Sequence, residues 1–239
     1  DPNGGSSGEA RIYRWDGSQW NQLGNAIDGD AAIDWFGDSV NLSDDGNTVI
    51  IGARHNGGNG YKAGHARVYR WDGLAWNQLG LDIEGEAAED QAGYATSISS
   101  DGNTVAVGAA RNDGGGDTSG HVRIFRWTGS TWNQLGDDID GQGILDWFGI
   151  SVSLSGDGNT FVVGADEGLT SDNGYAEVYT WNGARWSQLG LTIIGETSGD
   201  RSGESVSISK DGSIIAVGAK KNGIDGKPGH VRVYRWNGD

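Results

Sequence analysis

The chain has no cysteine, no methionine, only two prolines and no apolar run of the length needed to cross a membrane as a helix. Without cysteine there are no disulfides, thiolate metal sites or thiol nucleophiles, though the compartment stays open. The lack of an apolar stretch of about 18 residues predicts no transmembrane helix. No apolar signal segment begins at Asp1, and the missing methionine, initiator included, gives the expectation of a processed or excised chain. Positive charge is also scarce: 17 Lys and Arg face 33 Asp and Glu, for a formal net charge of −16. That balance disfavours nucleic acid and anionic membrane as partners, since polyanions are bound by basic surface, and it favours cations and cationic surfaces. No window has a helical period. No GxSxG, HExxH or P-loop occurs, so the expectation is a protein that is not an enzyme.

Glycine is abundant instead, with 44 of 239 residues, and its placement is periodic. The string YRWDGSQWNQLG at Tyr13–Gly24 returns at Tyr69–Gly80, Phe125–Gly136 and Tyr179–Gly190, and a final YRWNG begins at Tyr234. The leading tryptophans Trp15, Trp71, Trp127, Trp181 and Trp236 are separated by 56, 56, 54 and 55 residues. Such a period marks repeated supersecondary units that bury their apolar faces on one another.

One repeat reads as four strands. Ser39–Ser43 alternates, with Val40 and Leu42 on one face. Asp45-Gly46 is a hairpin signal, repeated at Asp101-Gly102, Asp157-Gly158 and Asp211-Gly212. Thr48–Ala53 is apolar on both faces and predicts a buried strand, as do its copies TVAVGA, TFVVGA and IIAVGA. A glycine-rich loop leads to His65–Trp71, Asp72-Gly73 turns the chain, and Trp76–Gly80 closes the unit before the acidic linker LDIEGEAAED.

Four short antiparallel strands in about 55 residues predict one propeller blade, and strands apolar on both sides fit a sheet packed between two others. The expectation is an all-β fold forming a single domain over 1–239, most simply a β-propeller of four blades with four antiparallel strands each. Its repeats begin near 36, 92, 148 and 202, and residues 1–35 complete the last blade so that N- and C-terminal strands close the circle. The count leaves one YRW strand over, either Arg11–Trp15 or Val231–Trp236. A spare strand is either displaced or used between chains, as a donated strand in a homo-oligomer or filament.

These motifs resemble the FG-GAP repeat, the blade unit of integrin α-subunit propellers and of many secreted proteins. The residues concerned are Phe36-Gly37 and Phe148-Gly149, the strand starts Ser39, Ser151 and Ser205, and the strand ends Gly52-Ala53, Gly108-Ala109, Gly164-Ala165 and Gly218-Ala219. The resemblance implies an extracellular, non-catalytic adhesion or assembly module whose partner is a protein or glycan surface. It also implies calcium, held in an acid-rich loop between the first two strands. Here those loops are tight Asp-Gly hairpins with too few oxygens for the six to eight that calcium takes, so no cofactor is expected there.

The linkers offer other metal candidates: Asp28, Asp30 and Asp34, then Glu84, Glu86 and Asp90, then Asp138, Asp140 and Asp146. The competing reading is that Asp34, Asp90, Asp146 and Asp200 cap turns or pair with the third-strand arginines Arg11, Arg67, Arg123 and Arg232, with Arg14, Arg70, Arg126 and Arg235. His65, His121 and His230 begin equivalent strands and read as structural. Nine of the eleven tryptophans sit in the WxGxxW frame and read as packing. Trp35 and Trp147 lie outside it, in DWFG, and predict either a ligand site of the kind that stacks on sugars or blade-interface filling. A carbohydrate-binding propeller is thus the alternative function, and a hydrolase or lyase using paired carboxylates a further one.

Overall fold

The computed structural model describes residues 3–167, 173–223 and 228–238, and among these there is no helix. Three repeats each build a five-stranded sheet. The first holds β5 (Ser39–Leu42), β6 (Thr48–Ala53), β7 (His65–Trp71), β8 (Trp76–Gln78) and β9 (Ile83–Glu84). The second holds β10 (Ala92–Ile98), β11 (Thr104–Ala109), β12 (His121–Trp127), β13 (Trp132–Gln134) and β14 (Ile139–Asp140). The third holds β15 (Ser151–Leu154), β16 (Thr160–Ala165), β17 (Tyr175–Trp181), β18 (Trp186–Gln188) and β19 (Ile193–Ile194). The last sheet has three strands, β20 (Ser202–Ile208), β21 (Ile214–Ala219) and β22 (His230–Arg235). The N-terminal segment carries β1 (Glu9–Ala10), β2 (Tyr13–Trp15), β3 (Trp20–Gln22) and β4 (Ile27–Asp28).

The order within each full sheet is the antiparallel meander expected, with one addition. The third strand is seven residues long and the fourth only three, so half of the third strand's outer edge is left unpaired. The start of the linker folds back to fill it: in the first sheet His65 pairs with Glu84 and Ala66 with Ile83. The same closure occurs at His121↔Asp140 and Tyr175↔Ile194.

β6 is buried on every residue, because it packs on one side against the N-terminal segment and on the other against the second sheet. Ile50, Ala66 and Val68 of the first sheet pack with Ile98, Val105, Val107 and Phe125 of the second. Ala106, Val122 and Ile124 of the second pack with Val152, Leu154, Phe161 and Val163 of the third. Val162 and Ala176 of the third pack with Ile208, Ile215 and Val217 of the last. At the other end, Ala10, Ile12 and Ile27 cover Val49, Ile51 and Tyr69.

Tryptophan fastens each unit to the one before. Trp76 Nε1 donates to the Leu23 carbonyl at 2.8 Å, Trp132 to Leu79 at 2.6 Å and Trp186 to Leu135 at 2.7 Å. The glycine after that leucine must be bare: a Cβ on Gly80 would lie 2.8 Å from the Trp127 ring, at φ +79°. Trp20, the equivalent with no unit before it, is exposed. Trp132→Phe should therefore cost about 1–2 kcal/mol in urea denaturation, through the lost bond and the orphaned Leu79 carbonyl, and Trp20→Phe should be neutral within error. Equal effects would remove the fastening role.

At the narrow end of the sheets the first hairpins are chained through their backbones. Asp44 N donates to Ser100 O at 3.2 Å, Ser100 N to Gly156 O at 2.9 Å, and Gly156 N to Lys210 O at 2.8 Å. Lys210 then forms an ion pair with Asp44, so the four hairpins meet at one hub.

The ends depart from the expected closure. β2 and β3 pair with each other, and β22 pairs with β21, so the terminal strands do not combine in one sheet. The reason is the surplus strand. The free edge of β21 accepts one YRW strand, and β22 is the next strand in sequence while β2 lies at the far end of the chain, so the entropy of closure favours the local partner. As a result the outward faces of the end units lie open. Val152 and Leu154 are 9% and 7% exposed in the third sheet, whereas their equivalents Val40 and Leu42 are 53% and 47% exposed in the first. Val231 and Val233 on β22 are exposed as well.

Candidate functional site

Trp35 and Trp147 occupy a linker position whose backbone is left-handed in every repeat: φ is +58° at Trp35, +57° at Gln91, +55° at Trp147 and +53° at Arg201. Their rings are engaged by side chains of the same chain. Trp35 stacks on His55, with ring centroids 3.9 Å apart, and the Arg54 guanidinium stands 4.9 Å from its ring. Arg54 also lies 4.4 Å from the Tyr94 ring on β10 and pairs with Asp38 at 2.8 Å. Trp147 carries Arg111 over its ring at 5.1 Å. In the last repeat Arg201 occupies the position and pairs with Asp166 at 3.3 Å and Glu167 at 3.0 Å. The position therefore anchors the linker to the loop that ends the second strand, by cation–π contact where it is tryptophan and by ion pair where it is arginine.

The hairpin carboxylates serve their own turns. Asp45 accepts from Ser43 Oγ at 2.7 Å, Asn47 N at 2.9 Å and Asn47 Nδ2 at 3.0 Å, and Asp101 and Asp157 repeat the pattern. In the last hairpin the Ser209 hydroxyl and the Ser213 amide hold Asp211 down to about 2. With their oxygens committed in this way, the hairpins do not fit a calcium ion.

The linker acids separate into three groups. Asp34, Asp90 and Asp146 are buried and close their own turns, as does Asp200. Asp34 accepts from Ala31 N at 3.0 Å and Asn56 Nδ2 at 2.9 Å, Asp90 from Ala87 N at 2.8 Å, and Asp146 from Gly143 N and the Tyr175 hydroxyl, both at 2.8 Å. Asp30 and Glu86 face the arginines of the third strands, Arg67 and Arg123. Asp28, Glu84 and Asp140 lie in the short returning strands, Asp28 opposite Glu9 and the other two opposite His65 and His121.

That last pairing brings together residues that the sequence leaves apart. One ligand atom from each of His65, Asp82 and Glu84 lies within 4.8 Å of the others, and the same is true of Glu86, His121 and Asp138. His65 Nδ1 is 3.7 Å from Asp82 Oδ2, and His121 Nδ1 is 3.9 Å from Glu86 Oε2. Both imidazoles are 1% exposed. Burial lowers both, His121 down to about 4, so each is neutral near pH 7, and burial raises Glu84 and Asp140. Asp82 is a residue that sequence reasoning missed. The available signal was spacing, for an acid stands 17 positions after the histidine at both Asp82 and Asp138.

Residues 20–69 match the FG-GAP repeat family. No curated protein matches the chain. Among solved structures, TolB from Acinetobacter baumannii superposes with a TM-score of 0.55 at 16% identity, over 96% of this chain and 47% of that one. The likeness is one of fold, and the chain spans about half the length of that structure. Together with the packed antiparallel sheets about a common hub, it makes the fold a β-propeller.

Proposed function

We propose that the chain is a non-catalytic interaction module of an extracellular protein, and that its incomplete ends join one copy to the next. The observation that carries this reading is that the two ends are complementary halves of one unit. The last sheet holds the equivalents of strands one to three, and the N-terminal segment holds those of strands three to five. They overlap in the single YRW strand. Exchange of β22 for β1 and β2 of a neighbouring copy would complete the sheet, a form of strand addition at a free edge. The open faces match in the same sense. Val152 and Leu154 pack in the cluster that contains Ala106, and Ala216, the equivalent of Ala106, lies on the free face of the last sheet. Support for a non-catalytic role is that buried carboxylates recur at repeat-equivalent positions and close turns there.

Sedimentation over a dilution series tests the assembly. Mass should rise with concentration for the unaltered chain and stay monomeric for Val40→Asp/Leu42→Asp. Both side chains are exposed, so the variant's melting temperature should match the parent. A parent chain that stays monomeric throughout removes the self-association reading.

A further inference from the structure

We infer that the chain carries two divalent transition-metal sites, one at His65, Asp82 and Glu84 and one at His121, Glu86 and Asp138. Four positions recur in each repeat: an acid in the preceding linker, the first residue of the third strand, and two positions in the segment that returns along it. In the first sheet they are Asp30, His65, Asp82 and Glu84, and in the second Glu86, His121, Asp138 and Asp140. Each set brings three carboxylates and an imidazole beside a single guanidinium, Arg67 or Arg123. Two negative charges are thus unmatched in each, the charge that a divalent ion supplies.

The histidines point to a missing partner. Both ring nitrogens of His65 and both of His121 are buried and accept or donate no hydrogen bond, and Glu84 Oε2 is likewise buried and unpartnered. Leaving such atoms unsatisfied is unfavourable, and native interiors rarely do so. Imidazole nitrogen with carboxylate oxygen is the donor set of zinc and its neighbours, not of calcium. Bond lengths of about 2.0–2.2 Å around a tetrahedral ion put ligand atoms somewhat over 3 Å apart, so separations of 3.7 and 3.9 Å need only a small contraction. Arg67 donates to Asp82 at 2.7 Å and also to Asp30, which fixes the carboxylate beside the ring.

The third repeat supplies the internal contrast. There the four positions are Gln142, Tyr175, Thr192 and Ile194, so every acid and the imidazole are replaced together. The arginine has become Glu177, and its carboxylate is satisfied by Gln142, by Thr192 Oγ1 at 2.7 Å and by the Tyr179 hydroxyl at 2.7 Å. Tyr175, in place of histidine, donates to Asp146 at 2.8 Å. Where the ligand set is absent, the groups that replace the imidazole and the arginine, the Tyr175 hydroxyl and the Glu177 carboxylate, are hydrogen-bonded, and the atom left unpartnered beside them is Asp146 Oδ1. Where it is present, the ring nitrogens are left over.

Titration calorimetry of the whole chelator-treated chain with Zn2+ tests this, with Co2+ absorption reporting coordination geometry. The expected result is two Zn2+ per chain, intense visible Co2+ bands of tetrahedral type, and a raised melting temperature. His65→Gln should remove one ion and His121→Gln the other, while Tyr175→Phe retains both. Because the histidines are buried, Glu84→Gln and Asp138→Asn, on more exposed side chains, give a second route. Each should weaken its own site at least tenfold with circular dichroism unchanged. No uptake of Zn2+, or uptake that these substitutions leave unaltered, as adventitious binding to the acidic surface would be, overturns the inference.

Discussion

Gly164→Ala is expected to destabilise the protein by about 3 kcal/mol or more, and Gly218→Ala, at the same motif position in the last sheet, to be close to neutral. At Gly164 the backbone is not left-handed, so the obstacle is space alone. A Cβ there would sit 1.8 Å from the Gly203 carbonyl oxygen and 2.6 Å from Ser151 Oγ. Gly52 and Gly108 face the same obstacle, 2.1 Å from the carbonyls of Gly93 and Gly149. These carbonyls belong to the following sheet, and Ser39 and Ser151 hydroxyls bond those of Gly93 and Gly203 at 2.9 and 2.7 Å. The VGA motif is therefore where the backbones of neighbouring sheets cross, and a methyl group would hold them apart along their length. Among the described residues no sheet packs over Gly218. Its added Cβ meets the rotatable Ser205 hydroxyl at 2.4 Å and otherwise nothing nearer than 3.5 Å. Alanine would also gain there by restricting the unfolded chain. Denaturant midpoints for the two variants decide the matter; similar losses at both positions would mean that the motif serves the strand itself and not the crossing.

The second large effect concerns how the sheets share volume. Phe161→Ala should cost about 3–5 kcal/mol, as for a fully buried aromatic whose space is left open. Phe161 stacks on Tyr179 with centroids 5.4 Å apart and meets the Trp186 ring edge-on at 5.0 Å, contacts that add to its burial. The equivalent positions carry Val49, Val105 and Ile215. The difference is compensated across the interface: Phe161 clusters with Ala106, while Val105 clusters with Ile50 and Ile215 with Val162. Phe161→Val alone should then lose roughly 1–3 kcal/mol, and adding Ala106→Ile should recover a good part of it. A double-mutant cycle measures the coupling, and strict additivity would refute the size exchange.

Much of this architecture is legible in the sequence, because periodicity and glycine placement act locally. Thr48–Ala53 and His65–Trp71 are strands in the structure at the same bounds that alternation and turn residues give. The fifth strand is not legible. Ile83–Glu84 is two residues long, and only the mismatch in length between its neighbours makes it pair. The histidine clusters follow from that pairing, so a reading that treats LDIEGEAAED as linker has no means of bringing Glu84 or Asp82 to His65. Closure also escapes a count of strands. The number of YRW copies shows that one is surplus but not which edge it takes, and the choice rests on loop length and competition. The tryptophans outside the frame are conspicuous in the sequence, yet their cationic partners Arg54 and Arg111 come from loops whose approach depends on the completed stack.

The hub carries a consequence of its own. Three of its four links are main-chain bonds, and the positions concerned are unlike one another: Asp44, Ser100, Gly156 and Lys210. The fourth is an ion pair between two largely solvent-facing side chains, and counterions weaken such a contact. Within the hub, ionic strength therefore acts on one seam, which works as a clasp: fastened in dilute buffer, loosened in brine, while the three main-chain links ignore the change.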